Sequence, residues 1–266
     1  MSKTREKQLT SYLALVENES IDNVNSYIKR YHKINRGFVL LRLSSLSKVR
    51  GLHAFFVQDN LNDLKQHFYV SSRLCMASHA TGLDSNYGGL IANYETFLFG
   101  LLSDSPEILS WLSSENLLLK DDPKSHQFYL HMIQLLLQGD EAALRQRIEI
   151  GSKKAGKPYR EQYASGTDFF SLVLKRDQQA LEQHIENETK MKVSSDYSDF
   201  LAPYAVISAK LCWIKGIEVH IQHPLVPMPL LPVAPLAKYD PEYEFLQPGW
   251  EPPKPGIMSK LKSWLN

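Results

Sequence analysis

Proline is spread so unevenly along this chain that it decides where helices can run. Of 14 prolines in 266 residues, only Pro106, Pro123, Pro158 and Pro203 precede residue 224, and the other ten lie between Pro224 and Pro255. A proline inside a helix removes a backbone hydrogen bond and costs about 3 kcal/mol. The chain up to about residue 220 is therefore free to be helical throughout, whereas 224–255 is not. Two regions follow: a helical array over 1–215, and a Pro-rich extended tail over 216–266 that packs on it.

Apolar residues in the first region recur at the 3.6 period of an amphipathic helix. Leu9, Tyr12, Leu13 and Val16 form one stripe, and Leu61, Leu64, Phe68, Leu74 and Cys75 form another. Residues 38–57 are more continuously apolar and predict a helix covered on most sides. One segment, Ile217 to Ile221, alternates apolar with polar and fits either a short strand or an extended linker.

The middle of the chain repeats. Residues 128–149 and 167–186 match where they overlap at a shift of 37, placing Leu137 on Leu174, Asp140 on Asp177, Leu144 on Leu181 and Ile148 on Ile185. At a shift of 36, Leu101, Asp104, Ile108 and Leu112 supply a third copy. Each copy runs an apolar helix into an Asp-marked break and then a second amphipathic helix. An Asp there can accept from the orphan amides of the next helix. The expected fold is all-α: a helical-hairpin array, either an irregular α-solenoid or a bundle, with an extended Pro-rich C-terminal wrap and a short terminal helix.

Candidates for catalysis are thin. Cys75 and His79 lie four apart, with His67 two turns earlier, and no further ligand set is nearby. His220 and His223 lie in a segment that heads into Pro224. Phosphate-binding and hydrolase motifs are absent, Gly88-Gly89 lacks the preceding strand a phosphate loop needs, and Asp121/Asp122 adjoin Pro123 as turn residues. No catalytic residue, metal site or cofactor is expected. The net charge of +1 excludes a strongly basic nucleic-acid footprint for the whole chain. One basic cluster, Arg145, Arg147, Lys153, Lys154, Lys157 and Arg160, reads as a solvated helix end and loop. No apolar run approaches the ~20 residues of a membrane span. Two cysteines make no disulfide framework, and no signal-peptide core is apparent, so the expected compartment is the cytoplasm.

The tail carries more information. Glu218, Asp240, Glu242, Glu244 and Glu251 stand against Lys238 and Lys254, interleaved with Tyr239, Tyr243, Phe245 and Trp250. Leu225, Val226, Leu230, Leu231 and Leu236 are the expected anchors of the wrap. Tyr239, Asp240, Glu242, Tyr243 and Glu244 are the candidate partner-binding residues, an acidic and aromatic surface suited to a basic protein. The last stretch places Ile257, Leu261, Trp264 and Leu265 on one helical face, with Lys260 and Lys262 turned away.

The block LAPYAVISAKLCWIKGIEVHIQHPLVPMPLLP, residues 201–232, resembles the C-terminal region of the immunity protein 49 family. An apolar helix runs into Lys215-Gly216-Ile217, an apolar-polar-apolar stretch covers Glu218 to Ile221, and a Pro-flanked segment runs from His223-Pro224-Leu225 to Pro229-Leu230-Leu231. The extension beyond residue 240 has no counterpart in that pattern. The resemblance implies an all-α protein that protects a bacterium from a polymorphic toxin encoded beside it. The partner it implies is a cognate protein toxin, neutralised by direct contact, without nucleic-acid binding. A helical-repeat adaptor for another protein, such as a secretion-system component, is the alternative. Oligomeric state is not legible.

Overall fold

A computed structural model describes residues 3–81, 93–114, 122–193 and 197–254. The expected terminal helix over 257–265 lies outside the described residues, as do Gly88-Gly89 and Asp121. In chain order the helices are α1 (Lys3–Lys29), α2 (Arg36–Phe56), α3 (Leu61–Ala80), α4 (Tyr94–Leu102), α5 (Pro106–Ser114), α6 (His126–Gln138), α7 (Glu141–Lys154), α8 (Tyr159–Ser165), α9 (Phe169–Lys175), α10 (Gln178–Glu188) and α11 (Pro203–Ile214). Two single 3₁₀ turns follow, at Met228–Leu230 and Glu244–Leu246.

Local chemistry starts these helices where they start. Asn35, Asn60, Asn93, Ser125, Asp140, Asp168 and Asp177 each accept from a backbone amide three residues on. That bond satisfies one donor that the first turn leaves unpaired. Pro106 and Pro203 each open a helix, where a missing N–H costs nothing.

Helices α2 and α3 pack closely because small residues line their seam. A methyl group at Gly51 would sit 2.6 Å from the Phe68 ring. Ser44 donates to the Ser71 carbonyl at 3.0 Å. Hairpins α4/α5, α6/α7 and α9/α10 continue the array, and α11 packs against both α4 and α10. Residues Ala205 to Cys212 of α11 are all buried, as expected of a helix enclosed on every side. The core is continuous with the tail, taking in Ile217, Val219, Ile221, Val226, Leu230, Leu231, Phe245 and Leu246. Of the expected anchors, Val226, Leu230 and Leu231 are buried, while Leu225 and Leu236 are only partly so.

The repeat at a shift of 37 holds in detail. Asp140 Oδ1 accepts from Ala143 at 2.9 Å and Asp177 Oδ1 from Ala180 at 3.1 Å. The residues just before them, Gly139 and Arg176, both take left-handed φ, at 76° and 54°. The third copy departs at its Asp. Ser105, not Asp104, sits at the cap of α5, because the break is one residue longer there. Asp104 takes a left-handed φ of 55° and turns into the core.

Ile217–Ile221 alternates as expected, with Ile217, Val219 and Ile221 buried and Glu218 and His220 exposed. Yet the described residues contain no strand. Side chains take the place of a ladder. Gln178 donates to the Glu218 carbonyl at 3.0 Å, Glu182 accepts from the His220 amide at 2.9 Å, and Trp213 donates to the Val219 carbonyl at 3.2 Å.

Asp140→Ala and Asp177→Ala are each expected to cost about 0.5–2 kcal/mol. Leu144→Ala and Leu181→Ala, at 1% and 0% exposure, are each expected to cost about 2–5 kcal/mol. Urea denaturation checks both pairs, and unequal costs within a pair would contradict their equivalence.

Candidate partner-binding surface

The candidate residues 239–244 owe their position to the stretch just before them, which is anchored by the buried Leu230 and Leu231. Pro229, Pro232 and Pro235 lack amide protons, so this stretch offers carbonyl oxygens with few donors of its own. Two lysines supply the missing donors. Lys210 Nζ lies 3.1 Å from the oxygens of both Leu230 and Leu231, and 3.0 Å from that of Pro232. Lys65 Nζ donates to the Ala234 oxygen at 2.6 Å. Between the lysines sits Asp104, 2.6 Å from Lys210 and 2.9 Å from Lys65, and its Oδ2 accepts from the Ala234 amide at 3.3 Å.

The side chains of Lys210 and Asp104 are 0% exposed and that of Lys65 only 3%. Burial pulls the Lys210 ammonium below its ordinary pKa, and Asp104 opposes that pull. Two cations face one carboxylate, so the surplus positive charge is met by the carbonyl oxygens of the tail. Lys210 is the most legible sign of this cluster in the sequence, a lone cation inside the apolar run of α11.

From there the tail lies along one face of α3. Tyr239 Oη donates to the Ser103 carbonyl at 2.8 Å and accepts from the Leu236 amide at 3.0 Å, with its ring 4.8 Å from that of Tyr69. Gln66 grips the Asp240 backbone twice, donating to its oxygen at 2.5 Å and accepting from its amide at 3.1 Å. Arg73 donates to the Leu246 oxygen at 3.0 Å. Asp240 Oδ1 accepts from the Glu242 amide at 2.9 Å, fixing a turn in which Glu242 takes φ 67°. Glu242 pairs with Arg50 at 2.8 Å, and Arg50 also holds Glu17 at 3.3 Å. Tyr243 stacks on Phe245 with centroids 5.1 Å apart, and Phe245 meets Tyr27 of α1 at 4.4 Å. Burial, followed by the Glu242 charge, pushes the Tyr243 phenol up to about 12.

The five candidates thus divide. Tyr239 and Tyr243 are half-buried and tie the tail to its own body, whereas Asp240, Glu242 and Glu244 are exposed. The turn at Asp240–Glu242 leaves the three acids at the surface, with Glu242 held there by Arg50, while the rings of Tyr239 and Tyr243 lie against the body. Sequence reasoning missed Lys65, Gln66 and Arg50, whose partners are more than 160 residues away.

The histidines and cysteines stand apart from this surface. Cys75 is buried against Ser44 Oγ at 3.2 Å. Burial pushes the Cys212 thiol up to about 12, which disfavours the thiolate. His223 Nδ1 accepts from the Leu225 amide at 3.2 Å, closing a turn. Among the described residues, no three His, Cys, Asp or Glu side chains are grouped to hold a metal ion. The basic stretch at 145–160 is laced by i,i+4 pairs, Arg145–Glu141, Lys153–Glu149 and Lys157–Glu161. No described helix is long and apolar enough to cross a membrane.

The model of one protein family, immunity protein 49, matches residues 58–230, well over half of the chain. The chain belongs to the immunity protein 49 family. No curated protein and no solved structure gives a significant match. The matched residues of this family member include Lys65, Asp104 and Lys210, and end at Leu230, where the buried charges first grip the tail. Membership makes this an immunity protein and suggests a non-enzymatic role.

Asp104→Ala strands two buried ammoniums and is expected to cost about 3–5 kcal/mol. Replacing all three charges, as Lys65→Met/Asp104→Leu/Lys210→Met, is expected to leave the protein well below native stability, because the tail carbonyls lose their donors. Urea midpoints test this, and a triple variant as stable as the native protein would contradict it.

Acid sensitivity follows from His67, His126 and His131, whose pKa values burial holds below the ordinary 6.5. His131 Nδ1 lies 2.7 Å from an Arg147 nitrogen that can only donate, so the bond needs the neutral ring. The unfolded chain takes up protons near pH 6.5 where the folded chain does not. Stability is therefore expected to be full above about 6.5 and to fall as the pH drops below it. Urea midpoints at pH 7.5 and 5.5 check the sign, and His67→Gln/His131→Gln is expected to flatten the difference.

Proposed function

We propose that this immunity protein binds a cognate polymorphic toxin in the cytoplasm and neutralises it by direct contact, without catalysis. The contact we assign is the outward edge of the tail, Asp240, Glu242 and Glu244. The observation that supports this reading is the fixing of that edge: Tyr239 donates to the Ser103 carbonyl in the α4–α5 break, Gln66 of α3 holds the Asp240 backbone, and Arg50 of α2 pairs with Glu242. An edge already ordered loses little conformational entropy on binding. Exposed carboxylates on an ordered segment suit a basic surface, and a toxin that acts on nucleic acid needs such a surface because phosphate contacts dominate its affinity. Tyr239 and Tyr243 act as positioning residues for that segment.

The test is co-expression with the toxin domain encoded beside this gene, followed by co-purification and binding kinetics at low and high salt. Reversal of Asp240, Glu242 and Glu244 to Lys is expected to slow association and flatten its salt dependence. Tyr243→Ala is expected to loosen the tail, and so to weaken binding without flattening the salt dependence. Wild-type kinetics in the triple reversal would move the contact off the tail.

A further inference from the structure

The two hairpins that repeat at a shift of 37 meet at their breaks in a cleft of about 120 Å³. Leu136 and Gly139 line it from the end of α6, Glu141 from the start of α7, Leu174 and Arg176 from the end of α9, and Lys215 from just beyond α11. No atom lies within 4 Å of where a side chain on Gly139 would begin, so the lining is open there.

Arg176 holds the place that Gly139 holds one repeat earlier, and both backbones are left-handed, at φ 54° and 76°. Glycine is the residue such a backbone favours. An arginine held there against that preference is accounted for by its side chain. The guanidinium donates to the Lys215 and Gly216 carbonyls at 3.1 and 2.8 Å, which fixes the cation beside the cleft. Two of its five N–H donors are used in this way, and the group stays exposed with no carboxylate paired to it among the described residues. The Lys215 ammonium is half-buried and, among the described residues, has neither an ion-pair nor a hydrogen-bond partner. Burial pulls its pKa below the ordinary lysine value, and the Glu141 charge opposes that pull. Glu141 itself pairs with Arg145, at 3.5 Å. A cation drawn partly out of water without a counter-ion is unfavourable until an anion joins it.

We infer that this cleft takes one carboxylate side chain, an Asp or Glu, of a partner protein, seated between Lys215 and Arg176. Charge selects that ligand: Arg176, Lys215 and Glu141, the ionised groups of the lining, sum to +1. One monoanion balances that charge, and a doubly charged phosphate exceeds it. Size selects it too, because small-molecule and cofactor pockets take roughly 300–1,000 Å³, and this cleft has room for a single side chain. Charge-assisted bonds to a fixed guanidinium and a half-buried ammonium are the stronger kind. The inference is independent of the toxin contact at 240–244, and it calls for an acidic partner surface where that contact calls for a basic one.

Amide NMR titration of the full isotope-labelled chain at constant ionic strength tests it. The probe is the α-amide of N-acetylglutamate, which carries one side-chain carboxylate and no other charge, and its control is the uncharged N-acetylglutamine amide. The expected result is saturable shifts at Gly139, Glu141, Arg176 and Lys215 within about 100 mM probe, with the control weaker by about tenfold or more. Lys215→Met is expected to weaken probe binding by about fivefold or more. Glu141→Gln removes a like charge from the rim of the site and is expected to strengthen it by about twofold or more. Unchanged amide shifts outside the cleft report that each variant is folded. No saturable shift, equal binding of probe and control, native affinity in Lys215→Met, or weaker binding in Glu141→Gln would overturn the inference. Inorganic phosphate binding more tightly than the probe would overturn it too, by making this a site for a free anion.

Discussion

Three buried charges hold together what proline keeps apart. A Pro-rich segment cannot make a helix or a ladder, so it enters a protein interior with carbonyl oxygens unpaired. Burying such an oxygen without a donor costs about 1–3 kcal/mol. Lys210 and Lys65 meet those of Leu230, Leu231, Pro232 and Ala234. Asp104 between them makes two buried ammoniums tolerable. A break of one extra residue before α5 frees Asp104 from capping, and its left-handed backbone turns it inward. The helical array thus supplies a polar socket, and the tail supplies the acceptors that complete it.

The socket lies within the residues that define the family, 58–230. What it holds lies mostly outside them. Helices α1 and α2 precede the matched region and residues 231–254 follow it, and these flanks pack on each other. Tyr27 meets Phe245, Arg50 pairs with Glu242, and His32 reaches Pro253. Both ends of the chain thus pack together beside the matched helices, with α2 inside the same core. The acidic edge at 240–244 lies where those ends meet.

Much of the body was legible in the sequence because the forces that set it are local. Asp140 and Asp177 cap helices that begin one residue later, and proline marks where helices stop. The apolar stripe of α3 follows from its period, and the mostly covered α2 from its continuous apolar run. The roles of Asp104 and Lys210 were not legible, since an acid in a helix break is ordinarily a cap and a lysine in a helix is ordinarily solvated. Only the fold brings them within 2.6 Å. Of the candidate residues, Tyr239 and Tyr243 read from the sequence as anchors for a partner, whereas both are tied to the protein's own body. Their ties run to Ser103 and Phe245 through a turn at Asp240–Glu242, a geometry that composition does not set.

The buried charges of Lys65, Asp104 and Lys210 hold the tail onto the helical array. Native-state hydrogen exchange at residues 226–246 of Lys210→Met measures this directly. The account predicts that these residues open at a lower free energy than the helices α6, α7 and α9 to α11, and that the gap is wider than in the native chain. Equal opening free energies in tail and array, or tail protection unchanged by the substitution, would contradict it.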